Sequence, residues 1–285
     1  MRYSNILKFM LLMFVLFSVN ALAINENKTK ITQIRNATVK IEYGGKVFLI
    51  DPMFAPKDTY EGFKGTLNSH LNWPLVELPF SVDEIMKNVD AIIITHTHPD
   101  HLDEVAIEKL PKNILMFAQD EKDKTYLENF GFTNIKIMKE DSFVGNIRLT
   151  KTTGQHGSDE VMTYAKDVLG EVSGVVFSSK NEKTIYLAGD TVFNKDVEKV
   201  VTKYNPDIII LNSGDAKLEN GSSIIMNKED VLKTHKIAPK AKIIASHMEA
   251  VNHASLTREE LKIFVKENGI EKLILIPKDG EILQF

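Results

Sequence analysis

The chain has 285 residues, of which 43% are hydrophobic and 26% are charged. Its 35 basic and 39 acidic side chains give a net charge of −4, and the lysines alternate with acids instead of forming a basic run. A protein that binds a nucleic-acid backbone needs a basic face, so no nucleic-acid partner is expected. The sequence contains no cysteine, which excludes disulfides and attachment of a lipid through cysteine.

The first 23 residues are predicted to be a signal peptide. Arg2 and Lys8 precede an apolar stretch over residues 9–17, and Ala21-Leu22-Ala23 offers the small residues that a signal peptidase reads. The alternative is an uncleaved membrane anchor, but a bilayer crossing needs about 20 apolar residues. We therefore expect export to the periplasm or the medium, cleavage after Ala23 and no stable membrane anchor afterwards. Loss of Arg2 and Lys8 leaves 33 basic against 39 acidic side chains, a net charge of −6.

Residues 24–285 are predicted to form a single domain, because no repeat, low-complexity tract or linker-like composition interrupts them. Residues 52–79 contain four prolines and are predicted to form a long functional loop.

Short apolar runs alternate with amphipathic segments along the chain. Strands are predicted at residues 39–43, 47–50, 91–95, 114–117, 135–138, 147–151, 172–178, 184–188, 207–211, 242–245 and 272–276. Capping-box spacings predict helix starts at Ser81 and Thr257, and helical apolar spacing predicts helices at 120–130, 194–204 and 228–235. Gly131 and Gly269 are predicted helix stops.

Three histidines and one aspartate crowd into the segment that follows the predicted strand at 91–95. Because side chains alternate along a strand, His96 and His98 are expected to share a face and to hold one cation together. Pro99 then turns the chain, so Asp100 and His101 are expected to face a second cation. In two-metal hydrolases the two cations lie about 3.5–4 Å apart. The spacing H-x-H-x-D-H thus predicts a metal site.

Three later residues follow strand-like runs in the same way and are candidate ligands. His156 lies in a Gly-containing loop after residues 147–150 and is expected to complete a three-histidine site. Asp190 ends Ala188-Gly189-Asp190 and is the natural bridge between two metals. His247 follows residues 242–246 and is expected to join Asp100 and His101 on the second metal.

These motifs, in this order, resemble those of the metallo-β-lactamase superfamily, and the resemblance covers the chain after the leader. The start Asp51-Pro52-Met53-Phe54 and the motif Gly189-Asp190-Thr191 look most like the metal-dependent hydrolases related to ascorbate-6-phosphate lactonase. The true β-lactamases carry Cys or Ser where this chain has Asp190, which argues against antibiotic hydrolysis as the native task. The resemblance implies an α/β fold, a four-layer αββα sandwich.

The expected activity follows from the metals. Two divalent cations, zinc first and manganese or iron next, would supply a metal-bound hydroxide that attacks an ester, lactone or phosphodiester of a small molecule or lipid headgroup. Two alternatives stay open: a mononuclear iron oxygenase of the same superfamily, and a non-catalytic metal-binding protein. Metal content and oxygen consumption separate them.

Two carboxylates have expected roles beside the metals. Asp100 is a candidate catalytic residue, since a metal-bound carboxylate can orient the water or relay its proton. Asp51 is expected to accept an imidazole N–H and so fix a ligand's tautomer, although an Asp-Pro turn explains it equally well.

Four further residues are candidates on the substrate side. His253, six residues beyond His247, is a candidate general acid or anion donor, or else a surface or helix-capping histidine. His70 and Trp73 lie in the long loop and are expected to cover the metals and touch substrate, or simply to anchor the loop. Asp215 follows another strand and either lines the pocket or belongs to a turn.

Overall fold

A computed structural model describes residues 28–285, so the predicted signal peptide lies outside the described residues. None of the helices within 28–285 has the length and apolar character that a bilayer crossing requires.

The first sheet has seven strands in the order β14-β1-β2-β3-β4-β5-β6. Its strands are β1 (Lys30–Arg35), β2 (Thr38–Tyr43), β3 (Lys46–Ile50), β4 (Ala91–Ile93), β5 (Leu115–Ala118), β6 (Ile135–Ile137) and β14 (Ile282–Gln284). The pairs β14-β1, β1-β2 and β2-β3 are antiparallel, and β3 to β6 run parallel.

The second sheet also has seven strands, in the order β13-β12-β11-β10-β9-β8-β7. Its strands are β7 (Ser142–Val144), β8 (Ile147–Thr153), β9 (Ser173–Ser178), β10 (Ile185–Leu187), β11 (Ile208–Asn212), β12 (Lys242–Ser246) and β13 (Ile274–Leu275). Strands β7 to β10 are antiparallel, and β10 to β13 are parallel.

The helices between these strands are α1 (Val82–Met86), α2 (Glu104–Lys109), α3 (Glu121–Asn129), α4 (Asp159–Leu169), α5 (Lys195–Tyr204), α6 (Lys228–Ile237) and α7 (Arg258–Glu267). Helices α1 and α7 begin with the predicted capping boxes at Ser81 and Thr257. Gly131 and Gly269 have positive φ angles of 83° and 68° just after α3 and α7, as expected of helix stops.

Three apolar layers hold the sandwich together. Phe48 of the first sheet and Phe177 of the second meet between the sheets, with ring centroids 5.2 Å apart. The outer face of the first sheet is covered by α1, α2 and α3, and that of the second sheet by α5, α6 and α7. Burying each Leu, Ile or Phe side chain contributes about 1.5–3 kcal/mol. The predicted αββα sandwich is confirmed.

The predicted strands are all present, with ends shifted by up to two residues, and the predicted helices are present as well. Five further elements were not predicted: β1, β7, β14, α2 and α4. Strands β7 and β14 have three residues each and exposed positions, so they carry too little periodic signal.

The prediction that β4 continues to Thr95 is wrong, because the strand ends at Ile93. The N–H group of Thr95 donates to Oδ1 of Asp51 at 2.8 Å instead of to a neighbouring strand. His96 and His98 therefore lie in the loop after β4, and strand alternation does not place them.

The long loop of residues 52–79 contains only an isolated bridge between Tyr60 and Trp73 and another at Thr66. The buried guanidinium of Arg35 anchors the loop, because it donates hydrogen bonds to the carbonyls of Met53, Ala55 and Val76 at 2.7–3.0 Å. Burial lowers the pKa of Arg35 to about 10, with Asp103 opposing that shift. The loop is irregular in conformation yet anchored to the core.

Candidate metal centre

The seven predicted ligands come from four loops at one edge of the sandwich, and the structure brings all of them together. Six of these side chains are buried, and His98 is half-buried. Their donor atoms form three overlapping groups, in each of which all ligand atoms lie within 4.8 Å of one another. The groups are His96, His98 and His156; His96, His101 and Asp190; and Asp100, His101 and His247.

The first group consists of three imidazoles. Nε2 of His96 lies 3.0 Å from Nδ1 of His98. Nδ1 of His156 lies 2.8 Å from the carbonyl oxygen of Ile224, which leaves its Nε2 for the cluster. Likewise Nε2 of His98 lies 3.1 Å from the carbonyl oxygen of Val168 in α4, which leaves Nδ1 of His98 for the cluster. Each outward contact selects the nitrogen that points inward.

The third group contains one carboxylate and two imidazoles, and it shares no residue with the first. Nε2 of His247 lies 3.1 Å from Oδ2 of Asp100, and Nε2 of His101 lies 3.9 Å from the same oxygen. Two separate sets of three donors are therefore present side by side.

Asp190 lies between the two sets. Its Oδ2 is 3.6 Å from Nε2 of His156 in the first group and 3.6 Å from Nε2 of His247 in the third. Its other oxygen, Oδ1, accepts a hydrogen bond of 2.7 Å from the amide of Asn212, which orients the carboxylate. The Asp190 carboxylate therefore lies at the same distance from one histidine of each set.

Asp51 holds His101 from behind. Its Oδ2 is 2.8 Å from Nδ1 of His101, and it also accepts from the Thr95 hydroxyl at 2.6 Å. With Nδ1 bonded to a carboxylate, His101 presents Nε2 to the cluster. That nitrogen is buried and, among the described residues, has no hydrogen-bond partner, although Oδ2 of Asp190 is 3.1 Å away. A buried imidazole nitrogen that faces carboxylates and imidazoles without a hydrogen-bond partner fits a position where a cation replaces the proton.

The charges of the cluster depend on one another. Burial would lower the pKa of His101, but the carboxylates of Asp190, Asp51 and Asp100 raise it well above its usual value. Burial would raise the pKa values of Asp100 and Asp190, but His101 holds both well below the ordinary range. Burial lowers the pKa of His156 to about 4. Asp100 and Asp190 are thus ionised and His96 and His156 neutral, which are the states that metal ligands need, whereas His101 keeps its proton until a cation replaces it.

Two asparagines at the cluster were not predicted from the sequence. Asn36 is buried in the turn between β1 and β2, and its amide nitrogen lies 3.3 Å from both Oδ2 of Asp100 and Nε2 of His247. Asn212 ends β11, so the strand-end pattern that marked the ligands also applied to it. Asn36 carries no comparable signal, because its contact depends on the approach of chain segments 64 and 211 residues away.

His253 lies at the edge of the cluster. Its side chain is buried, and its ring packs edge-on against Phe63 at a centroid distance of 5.0 Å. Burial lowers the pKa of His253 to about 4, while the charge of Asp100 opposes the shift. The imidazole is therefore neutral at pH 7, so His253 offers one N–H and one lone pair but not a stored proton.

The remaining substrate-side candidates lie outside the cluster. His70 is exposed in the loop. Trp73 is buried and stacks on Phe63 at 4.8 Å, so it supports the ring that touches His253. The Asp215 carboxylate interacts with the ammonium group of Lys217 at 2.9 Å and is therefore occupied in a separate turn.

Gly214 permits the close approach of the loop that carries His247. A Cβ at position 214 would collide with the backbone carbonyl of His247. Two roles thus lie close together in the sequence Asn212-Ser213-Gly214. The amide of Asn212 orients Asp190, and the missing side chain of Gly214 leaves room for the loop that carries His247.

Two mixed sheets covered by helices, with a buried His/Asp cluster at one edge, define a metal-dependent hydrolase of the metallo-β-lactamase fold. The chain belongs to the beta-lactamase superfamily, whose domain profile matches residues 46–248. The superfamily resemblance that the motifs suggested is confirmed.

Relatives support the same assignment along the whole domain. The UPF0173 protein YddR of Bacillus subtilis (strain 168) is 48% identical over 90% of this chain and 99% of its own length. A UPF0173 metal-dependent hydrolase of Rubrobacter xylanophilus is 23% identical, over 90% of this chain and 96% of its own length.

Two solved structures are also similar. An isothiocyanate hydrolase from Delia radicum gut bacteria has 49% identity and a TM-score of 0.87, over 90% of this chain and 99% of that one. A possible metal-dependent hydrolase from Veillonella parvula DSM 2008 has 41% identity and a TM-score of 0.89, over 90% of this chain and 100% of that one.

Proposed function

We propose that this protein binds two divalent cations and hydrolyses a small, uncharged electrophile, with isothiocyanates as the first candidate substrates. The observation that carries the two-cation proposal is the pair of disjoint donor groups, His96/His98/His156 and Asp100/His101/His247, joined by Oδ2 of Asp190 at 3.6 Å from a histidine of each. A single-metal site needs only one such group.

Zinc is the proposed metal. Five imidazoles and two carboxylates converge on the centre, and that donor set suits zinc, with manganese and iron as alternatives. When bound, the cations activate a water molecule and polarise the group under attack. The predicted substrates were esters, lactones and phosphodiesters. The isothiocyanate proposal comes from the relative with 49% identity that is described as an isothiocyanate hydrolase.

The reaction balances with water alone. Water oxygen bonds to the central carbon of R–N=C=S while one water proton passes to nitrogen, which gives a thiocarbamic acid. The C–N bond then breaks, the second proton moves to nitrogen, and the amine R–NH₂ and carbonyl sulfide leave. No oxidant or reductant is required.

The chain's own residues would move these protons and hold the site. The ionised Asp100 accepts a water proton or orients the water. His253 is neutral, so it can take up a proton and pass it to the leaving nitrogen, or donate its N–H to it. Asn36 and Asn212 hold Asp100 and Asp190 in place through their amides. His253 acts in this scheme as a relay and not as a standing acid.

The test is turnover by the purified, metal-loaded protein. Benzyl isothiocyanate should disappear with stoichiometric release of benzylamine, and His98→Ala should reduce the rate at least a hundredfold. His235→Ala is a matched control, since this half-buried histidine lies on α6 away from the cluster. Unchanged turnover in His98→Ala would refute metal-dependent chemistry. Hydrolysis of esters or lactones but not of isothiocyanates would refute the substrate proposal alone.

Export is proposed on the leader sequence. The small residues Ala21-Leu22-Ala23 after the apolar stretch 9–17 support cleavage after Ala23. Intact mass of the protein from fractionated cells should show a chain that begins at Ile24, outside the cytoplasm. A full-length chain confined to the cytoplasm would contradict this proposal. The proposed partner is a small molecule, and no nucleic-acid partner is proposed.

A further inference from the structure

A cavity of about 640 Å³ lies beside the loop that carries the metal ligands. We call it the aromatic pocket and define it by Tyr60, Phe63, Trp73, Leu102, Tyr126 and Phe130. Small-molecule sites have volumes of about 300–1,000 Å³ and mostly apolar walls. The size and lining of the aromatic pocket fit that class.

The aromatic pocket adjoins the metal centre through two walls. Pro99 and Leu102, which immediately flank the ligands Asp100 and His101, line it on one side. Phe63 lines it on another side, and the same ring packs against His253 at 5.0 Å. The pocket lining therefore includes the sequence neighbours of two ligands and a ring in contact with His253.

The walls of the pocket are rings in contact with one another. Trp73 contacts Tyr60 and Phe63, with ring centroids 4.5 Å and 4.8 Å away. Two further lining rings, Tyr126 and Phe130, pack edge-on at 5.0 Å, and they remain 37% and 43% exposed. Large apolar side chains left exposed together around a concavity mark a binding surface.

The charges around the pocket select against anions. Its charged lining residues are Glu61, Glu104, Glu108 and Lys64, so three carboxylates face one ammonium. All four are exposed. A phosphate or carboxylate at this rim would meet net like charge, whereas a neutral group would not.

We propose that the aromatic pocket binds the apolar, ring-bearing substituent of a neutral substrate while the reacting group lies at the metal centre. The placement of the reacting group rests on the proposed function, but binding of the ring does not. The aromatic pocket therefore favours aromatic or bulky alkyl substrates over phosphorylated ones.

Trp73 is the chain's one tryptophan, and it reports on the pocket directly. Fluorescence titrations are made on the His98→Ala protein with benzyl alcohol as the neutral probe and phenylacetate as the anionic probe. Benzyl alcohol should give a saturable change, and phenylacetate should bind at least tenfold more weakly. Phe130→Ala should weaken benzyl alcohol binding at least tenfold. Phe143→Ala, another exposed ring but on β7, is the control and should not alter it.

Kinetics on the otherwise native enzyme provide the second readout. Phe130→Ala should lower kcat/KM for benzyl isothiocyanate about tenfold and leave that for methyl isothiocyanate unchanged. Saturable Trp73 quenching without any turnover would refute the proposed function and support the pocket. Turnover with the same benzyl preference in Phe130→Ala as in the parent would overturn the pocket proposal. A change of oligomeric state in Phe130→Ala without loss of ring binding would also overturn it, because the surface would then be an interface between copies.

Discussion

Replacement of Asp51 by asparagine tests how the protein prepares one imidazole for a cation. Asp51 accepts hydrogen bonds from the backbone N–H and the hydroxyl of Thr95, and its Oδ2 is 2.8 Å from Nδ1 of His101. Asparagine keeps the shape but has one acceptor oxygen, so its NH₂ must face a donor. Position 51 has a φ of 45°, which asparagine tolerates well, so the backbone should not change.

The expected loss is one of metal affinity. Without the carboxylate, His101 can carry its proton on Nε2, which removes the lone pair that faces Asp190. Mutation of such outer partners lowers metal affinity about 10- to 100-fold, or about 1.4–2.7 kcal/mol. His101 belongs to the group Asp100/His101/His247. The cation proposed for that group should therefore be lost, and the cation proposed for His96/His98/His156 should be retained.

The assay is competition with a chelator, together with metal content per chain after dialysis. Asp103→Asn is the matched control, since Asp103 is also buried and accepts from backbone N–H groups of Ala55 and Ala106 without touching the cluster. The control should lose stability but keep both metals. Wild-type affinity for both cations in Asp51→Asn would refute this account of His101.

Three further predictions concern packing, titration and capping. Gly214→Ala should destabilise the fold by about 1–3 kcal/mol and reduce metal content, because the new Cβ collides with the carbonyl of His247; an unchanged melting temperature and metal content would contradict the collision. The metal-free protein should be most stable near pH 6.5 in urea titrations. Below that value the unfolded chain takes up a proton that folded His156 does not, because burial lowers the pKa of His156 to about 4, so stability falls. Above it, the unfolded chain releases the proton that His101 keeps in the folded state, because the surrounding carboxylates raise its pKa, so stability falls. Stability that rises steadily from pH 5 to pH 9 would count against these charges. Thr257→Ala removes the cap of α7 and should cost about 0.5–2 kcal/mol in the same titrations while metal content stays unchanged.

The ligands could be predicted from sequence because they share one local feature. His156, Asp190 and His247 each follow a strand-like run, and strand ends of one sandwich edge meet in space. The same rule applied to Asp215 did not lead to the cluster. With a φ of 50°, its backbone turns, and the carboxylate contacts Lys217 instead.

Other features depended on tertiary contacts that leave no local pattern. The loop position of His96 and His98 follows from the bond between Thr95 and Asp51, which are 44 residues apart. Helix α4 was not predicted, yet it supplies the Val168 carbonyl that contacts His98. Sequence periodicity reports which residues are buried, but not which distant carbonyl or amide will orient a ligand.

Anomalous diffraction from crystals of the metal-loaded protein would show whether the cluster holds two cations. We expect two peaks about 3.5–4 Å apart, one among His96, His98 and His156 and one among Asp100, His101 and His247. A single peak, or peaks outside these donor groups, would contradict the two-cation proposal.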